Sequence, residues 1–318
     1  MKRIFYFYFY LLLILSTNVF AQAKQITIYV PFSAGGSVDI IARIMAAQIS
    51  QKMSMPVLVD NKLGAGGNIA TALVAQAKPN GLTLLAHHQG IVYSSALSDN
   101  LSFNVQKDFA PIATVGVTPN VLVIPAGSKF KNLQEFVEFA KANPGKLNYG
   151  SAGIGSNGHL AMELFQSAAG IKLTHIPYKG MPQAIADVAG GQIQAVLTTI
   201  PAALPFIQGG TVRALGTSGQ KRSAVLSDIP TIQEAGIKNF YYEPWYGFLA
   251  PAGTPEADLD KLSAIIVESS TSPEISKKFT MDGIDVKPLG RQKFTPLFIA
   301  DIKKWGDVIK GLGLKGSD

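Results

Sequence analysis

Two glycine-rich stretches hold the residues best placed to do chemistry. Ser33-Ala34-Gly35-Gly36 interrupts "ITIYVPFSAGGSVDIIARIMA", Ile26 to Ala46, between an apolar strand and a helical pattern. Glycine there lets backbone N–H groups approach a partner closely. A helix start with bare donors carries about half a positive charge and suits an anion. A tight strand-to-helix turn without a ligand accounts for the same residues. "YGSAGIGSNGHLAMELF", Tyr149 to Phe165, repeats the arrangement and adds the hydroxyls of Ser151 and Ser156. If two lobes face each other, the two helix starts form opposing jaws and together offset about one carboxylate charge without an arginine.

Other chemistries fit less well. Gly153-Ile154-Gly155-Ser156-Asn157-Gly158 matches G-x-G-x-x-G, but it sits mid-chain. Its following acids, Glu163 and Asp187, fall too early and too late for the ribose contact about 20 residues on. "NKLGAGGNIA" (61–70) reads either as a structural turn or as another anion loop. Tyr178 and Lys179 leave a strand in "PYKGMPQAIADVAGGQIQAV" (177–196), where Lys179 either meets a carboxylate or stays solvated; Gly190-Gly191 marks a helix stop. There is no G-x-S-x-G elbow, and His87, His88, His159 and His175 show no H-E-x-x-H spacing. No metal, cofactor or catalytic residue is expected. A Ser156–His159–Asp39 grouping keeps a secreted α/β hydrolase-like enzyme as the alternative, against a His159 bonded within its own helix start. A receptor for a neutral amide or aromatic solute is a further alternative, because backbone donors also accept a carbonyl oxygen.

These loops must be held by the elements around them. Apolar runs at 25–31, 56–60, 82–86, 121–125, 146–150, 173–177, 192–198 and 212–217 alternate with helical stretches Val38–Lys52, Ile69–Ala77, Leu133–Ala142 and His159–Ala169. Asn132 with Glu135, and Thr231 with Glu234, are capping-box starts. The alternation predicts an α/β fold with parallel or mixed sheets. Two strand-and-proline segments, 118–128 and 243–255, bracket about 120 residues of α/β pattern, and helices Glu256–Ser270, Pro273–Met281 and Arg291–Gly311 follow. The economical reading is two α/β lobes with two crossing strands between them. Lobe 1 is expected over 24–122 plus 247–318 and lobe 2 over 123–246, with ligand bound between them.

Lys2 and Arg3 precede twelve apolar residues and then "STNVFAQA", the pattern of a signal peptide over residues 1–23 cleaved near Ala21 or Ala23. Its apolar core is too short to span a bilayer. The chain contains no cysteine, which removes a thiol-linked lipid anchor, disulfides and thiolate zinc sites. The net charge of +7 falls to +5 without Lys2 and Arg3, charged residues are 15%, and Lys and Arg are scattered. Nucleic acid is therefore not expected as a partner. The mature chain reads as soluble, exported to a periplasm and monomeric.

The motifs "VPFSAGGSVDIIAR", "VDNKLGAGGNIA", "LNYGSAGIGSNGHLAMELF", "HIPYKGMPQAIADVAGGQI" and "DIPTIQEAG…APAGTP" occur in the order found in the Bug family. That family comprises periplasmic solute receptors of tripartite tricarboxylate transporters, and the resemblance runs from about Ile26 to the last helix. It implies a two-lobed periplasmic binding protein of type II, flytrap-like, closing on a small mono-, di- or tricarboxylate. It also implies delivery to integral membrane transporter subunits or a sensor. Carried over by position, it points to Phe32, Ser33, Ala34, Gly35, Gly36 and Asp39 in the first lobe. In the second it points to Ser151, Gly153, Gly155, Ser156 and His159, with Tyr178 and Lys179 nearby. Asp39 is expected to order its loop, since a carboxylate repels a carboxylate, and Phe32 to cover the ligand's carbon chain. Gln89, Thr198 and Thr199 are the expected contacts at the ligand's far end. The sequence departs from the family pattern at Lys62-Leu63, at Gln194 and in "AHHQGIVYSS" (86–95), which leaves the ligand's identity open.

Overall fold

The computed structural model describes residues 24–314 except residue 99; the signal peptide expected over 1–23 lies outside them. The strands are β1 (Ile26–Val30), β2 (Val57–Asn61), β3 (Thr83–His88), β4 (Phe109–Val117), β5 (Asn120–Pro125), β6 (Asn148–Ser151), β7 (Thr174–Pro177), β8 (Ala195–Thr199), β9 (Val212–Thr217), β10 (Trp245–Pro251) and β11 (Asp285–Val286). The helices are α1 (Ser37–Met53), α2 (Asn68–Ala75), α3 (Ser94–Leu97), α4 (Leu133–Ala142), α5 (Asn157–Ala169), α6 (Met181–Ala189), α7 (Ile200–Gln208), α8 (Glu256–Thr271), α9 (Pro273–Met281) and α10 (Arg291–Gly311).

Two mixed sheets result, one in the order β11-β4-β10-β3-β1-β2 and the other β7-β6-β8-β5-β9. β1 pairs in parallel with β2 and β3, and β6 with β7 and β8; the remaining pairs are antiparallel. Parallel neighbours need crossover connections, which the helices supply. β8 and β10 are buried along their whole length, as central strands covered by helices must be. The chain passes between sheets at Thr118-Pro119 and again through residues 218–244. The two crossings are bonded to each other: Thr118 N–H donates to Pro244 O at 3.3 Å, and Ser218 N–H to Asn120 O at 2.8 Å.

Helix starts follow their local signals unevenly. Asn132 Oδ1 accepts from Glu135 N–H at 2.9 Å and opens α4 as expected. Thr231 and Glu234 form both capping-box bonds, at 3.0 and 2.9 Å. No helix follows them, because Gly236, at φ +100°, turns the chain after one turn. At the C-terminal end, α8 packs on α1 and β4. α10 buries Phe294, Phe298, Trp305 and Ile309 along one stripe. The Phe294 ring meets Trp245 of β10 edge-on, with centroids 4.9 Å apart. The glycine-rich loops, in contrast, sit where β1 and β6 end, free of this packing.

Candidate functional site

β1 delivers Phe32–Gly36 to α1. Gly35 adopts φ +79°, and Gly36, the N-cap, contributes no side-chain cap bond. The first-turn N–H groups of α1 therefore have no intrahelical partner. Behind the loop, Asp39 is buried and accepts from Gly35 N–H, Arg43 Nε and Asn61 Nδ2, each at 3.0 Å. Asn61 Nδ2 also holds the Phe32 carbonyl at 2.9 Å. Burial pushes the Asp39 carboxyl up, but the bonds from Arg43, Gly35 and Asn61 outweigh it and hold the group below its ordinary range. Asp39 thus orders the loop from behind.

β6 leads to the second jaw. Gly153 and Gly155 take φ +100° and +81°. Ser151 Oγ accepts from Gly153 N–H at 3.2 Å and pairs with His175 Nε2 at 2.7 Å. His159 Nδ1 accepts from Gly155 N–H at 3.3 Å, and its ring lies 4.6 Å from that of His175. Burial lowers both imidazoles to about 4, so they are neutral and free to accept. Ser156, the N-cap of α5, makes no side-chain cap bond, and its Oγ has no partner among the described residues. A Ser156–His159–Asp39 relay is not assembled. Ser151 and His175 do pair, but Ser151 is fully buried and serves the loop.

Between the jaws lies a cavity of about 50 Å³. By the volume one buried water needs, it has room for roughly three to five waters. Besides α1 and α5, α6 and α7 begin at its wall, after Gly180 and Thr199, again without side-chain caps. Among the described residues, no Lys, Arg, Asp or Glu lines it. Four helix starts supply its positive potential instead. Phe32 stacks on His88, centroids 4.9 Å apart and planes at 12°. His88 Nδ1 accepts from Gly90 N–H at 2.7 Å, which leaves the hydrogen on Nε2. Burial, and then His87, keep His88 well below the usual imidazole range and therefore uncharged.

A second space of about 280 Å³ lies on the other side of Phe32 and Ala152. Gly64–Gly67, Gly153–Gly155, Tyr178 and Lys179 line it. Tyr178 Oη is already engaged with Asp187 Oδ2 at 2.7 Å, and burial with that carboxylate pushes the phenol up to about 12. The two lobes touch around both spaces. Ser37 Oγ bonds Thr199 Oγ1 across the cleft. A Cβ at Gly180 would stand 1.9 Å from Ser33 Oγ, and one at Gly66 would stand 2.1 Å from Ile154 O.

The structure therefore sorts the residues chosen from sequence. Phe32, Ser33, Gly36, Ser156, Thr198 and Thr199 line the central cavity. Gly153, Gly155, Tyr178 and Lys179 line the second space, whereas Ala34 and Gly35 are exposed on the outer turn. Asp39, Ser151 and His159 stand behind the loops. Gln89 is at neither space: its Nε2 donates to Asp301 Oδ2 at 2.6 Å, and its Oε1 accepts from Tyr93 Oη at 3.3 Å. Sequence reasoning missed Ser37, Asn157, Met181, His88 and Tyr246 as lining residues. The first two directly follow chosen N-cap residues, and His88 lies in a segment already marked as unusual. Gln194 accepts from Asn148 N–H at 2.9 Å and ties down the start of β6.

Comparison with known proteins gives concordant findings. The family described as "Tripartite tricarboxylate transporter family receptor", TctC, matches residues 41–314. Protein BugT of Bordetella pertussis (strain Tohama I) is 34% identical over 296 residues, 92% of this chain and 90% of that protein. An R. palustris protein solved with adipate superposes with a TM-score of 0.88 at 30% identity, covering 92% of this chain and 98% of that one. MatC from Rhodopseudomonas palustris, solved with bound malate, gives a TM-score of 0.83 at 30% identity, covering 90% and 98%.

Proposed function

The chain belongs to the tripartite tricarboxylate transporter receptor family, and from that premise we propose that it is a periplasmic receptor that captures a small carboxylate between its two lobes. One observation carries the reading: two uncapped helix starts from opposite lobes border one cavity that, among the described residues, holds no charged side chain. Each start contributes about half a positive charge. Together they offset about one carboxylate, and the hydroxyls of Ser33 and Ser156, both without partners, complete its hydrogen bonding. Phe32, His88 and Tyr246 cover the remainder of the ligand. Two related structures hold adipate and malate, both of them carboxylates. The receptor works as a monomer and passes its ligand to integral membrane transporter subunits or a sensor.

The test is a binding panel on protein unfolded and refolded to strip carried-over ligand. It pairs carboxylates with their amides in the wild type and in Gly36→Asp. A carboxylate at the N-cap of α1 repels the bound anion, so Gly36→Asp should lose at least 100-fold in carboxylate affinity. Unchanged affinity would sink the paired-jaw mechanism. Equal binding of an amide and its acid would transfer the reading to a neutral carbonyl ligand.

A further inference from the structure

The edge strand β7 carries a half-buried imidazole, His175, that lines neither the central cavity nor the second space. Tyr149 and His175 are register partners on the parallel strands β6 and β7, so Ser151, two residues past Tyr149, shares their face of the sheet. Two rings fix the imidazole in place. Tyr149 stacks on it, with centroids 4.8 Å apart and planes at 23°, and His159 of α5 lies against it at 4.6 Å. Tyr149 is itself tied down, because its Oη donates to Glu163 Oε1 at 2.5 Å, which also accepts from Gln166 Nε2 at 2.8 Å. So held, His175 sets its Nε2 2.7 Å from Ser151 Oγ.

Ser151 passes that anchor on to the loop. Its Oγ accepts from Gly153 N–H at 3.2 Å and donates to Gly153 O at 3.1 Å. A hydroxyl has one hydrogen and two lone pairs, so an Nε2–H from His175 completes its bonding. Two residues further along, His159 Nδ1 holds the Gly155 N–H. The N–H groups of Gly153 and Gly155 are thus both drawn back into their own lobe. Ile154, between them, is fixed on either side and presented across the cleft. Its carbonyl stands so close to Gly66 of the opposite lobe that a Cβ there would meet it at 2.1 Å.

We infer that His175 is a positioning residue of the second jaw: through Ser151, and beside His159, it braces Gly153–Gly155 so that Ile154 meets the Gly66 loop when the lobes hold a ligand. The inference rests on the reading of the cavity as a carboxylate site. The nitrogen of His175, rather than its ring, performs this role. Phenylalanine keeps the stack with Tyr149 and His159 but leaves the buried Ser151 hydroxyl short of a donor and free to rotate. Glutamine loses the ring but still brings an N–H to about the place of Nε2.

Isothermal titration of the refolded protein with malate, adipate, citrate and butyrate, alongside hydrogen exchange of the peptide over 149–158, tests this. His175→Phe should raise the Kd of whichever acid binds by about five- to tenfold and speed exchange in that peptide. His175→Gln should stay close to wild type in both. Ser151→Ala removes the same bond from the other side and carries the test if His175→Phe does not fold. It should weaken binding by a similar factor, and adding His175→Phe to it should cost nothing further. The reverse order, with glutamine weaker than phenylalanine, would mean that ring packing decides and overturns the assignment. Unchanged affinity in His175→Phe overturns it too, whether or not exchange quickens. If no acid of the panel binds the wild type, the carboxylate reading fails instead, and the exchange comparison, which needs no ligand, still decides whether His175 braces the loop.

Discussion

Replacing Gly66 by alanine tests whether the contact between the lobes is part of ligand capture. A Cβ there would stand 2.1 Å from Ile154 O on the opposite lobe. Ordinary contact distances begin near 3.5 Å, so the two loops must separate by about 1.4 Å along that line. The Ser37–Thr199 bond across the same cleft does not survive such a shift. One lost hydrogen bond and the loosened packing beside it amount to about 1–2 kcal/mol, roughly a five- to thirty-fold rise in Kd. Gly66 also has φ +63°, which costs an alanine about 1–2 kcal/mol whether or not the lobes close. Gly170→Ala separates the two effects. Its φ is also +63°, and no atom lies within 4 Å of its added Cβ. Thermal unfolding should fall comparably in both variants, whereas calorimetric affinity for a bound carboxylate should fall only in Gly66→Ala. Equal affinities in the two variants would refute the argument that this approach of the lobes stabilises the bound state.

Acid should weaken the fold. Burial lowers His87 and His159 from 6.5 to about 4. The unfolded chain therefore takes up protons that the folded chain refuses. Stability is complete above pH 6.5 and falls as pH drops toward 4, by about 3 kcal/mol for one uncoupled imidazole. A Tm–pH profile should show the slope, flattened in His159→Gln; an unchanged profile contradicts the assignment. Gln89→Leu should leave ligand affinity intact while destabilising the chain by about 1–3 kcal/mol, because it strips a donor from the buried Asp301 carboxylate; a loss of affinity at unchanged stability would place Gln89 at the ligand after all. Asp39→Ala should weaken carboxylate binding about tenfold by releasing the Gly35 N–H and Asn61 from the first jaw. A gain in affinity would instead mean that Asp39 repels the ligand directly.

Much of this architecture is carried by local signals. The strand, glycine turn and helix at Ile26–Met53, and again at Asn148–Ala169, are written in runs of adjacent residues, so both jaws were legible in the sequence. Asp39 came from the family resemblance, and its loop-ordering role from the repulsion between two carboxylates; its bond to the Gly35 N–H fits that role. What each loop meets across the cleft was not legible. Ser37 and Thr199 are 162 residues apart, and Gln89 and Asp301 are 212 apart. Such contacts depend on how two separately folded sheets come to rest against each other, and no short stretch encodes that. Gln89 was named because the family resemblance sets its segment against the ligand's far end, yet the chain turns there and sends its side chain to α10. Asn157 figured only as a variable position within the G-x-G-x-x-G match. Only the packing of Asn120 and Leu197 from neighbouring strands decides which face of its amide remains unpaired, because the direction of a hydrogen bond depends on partners that sequence order does not bring together.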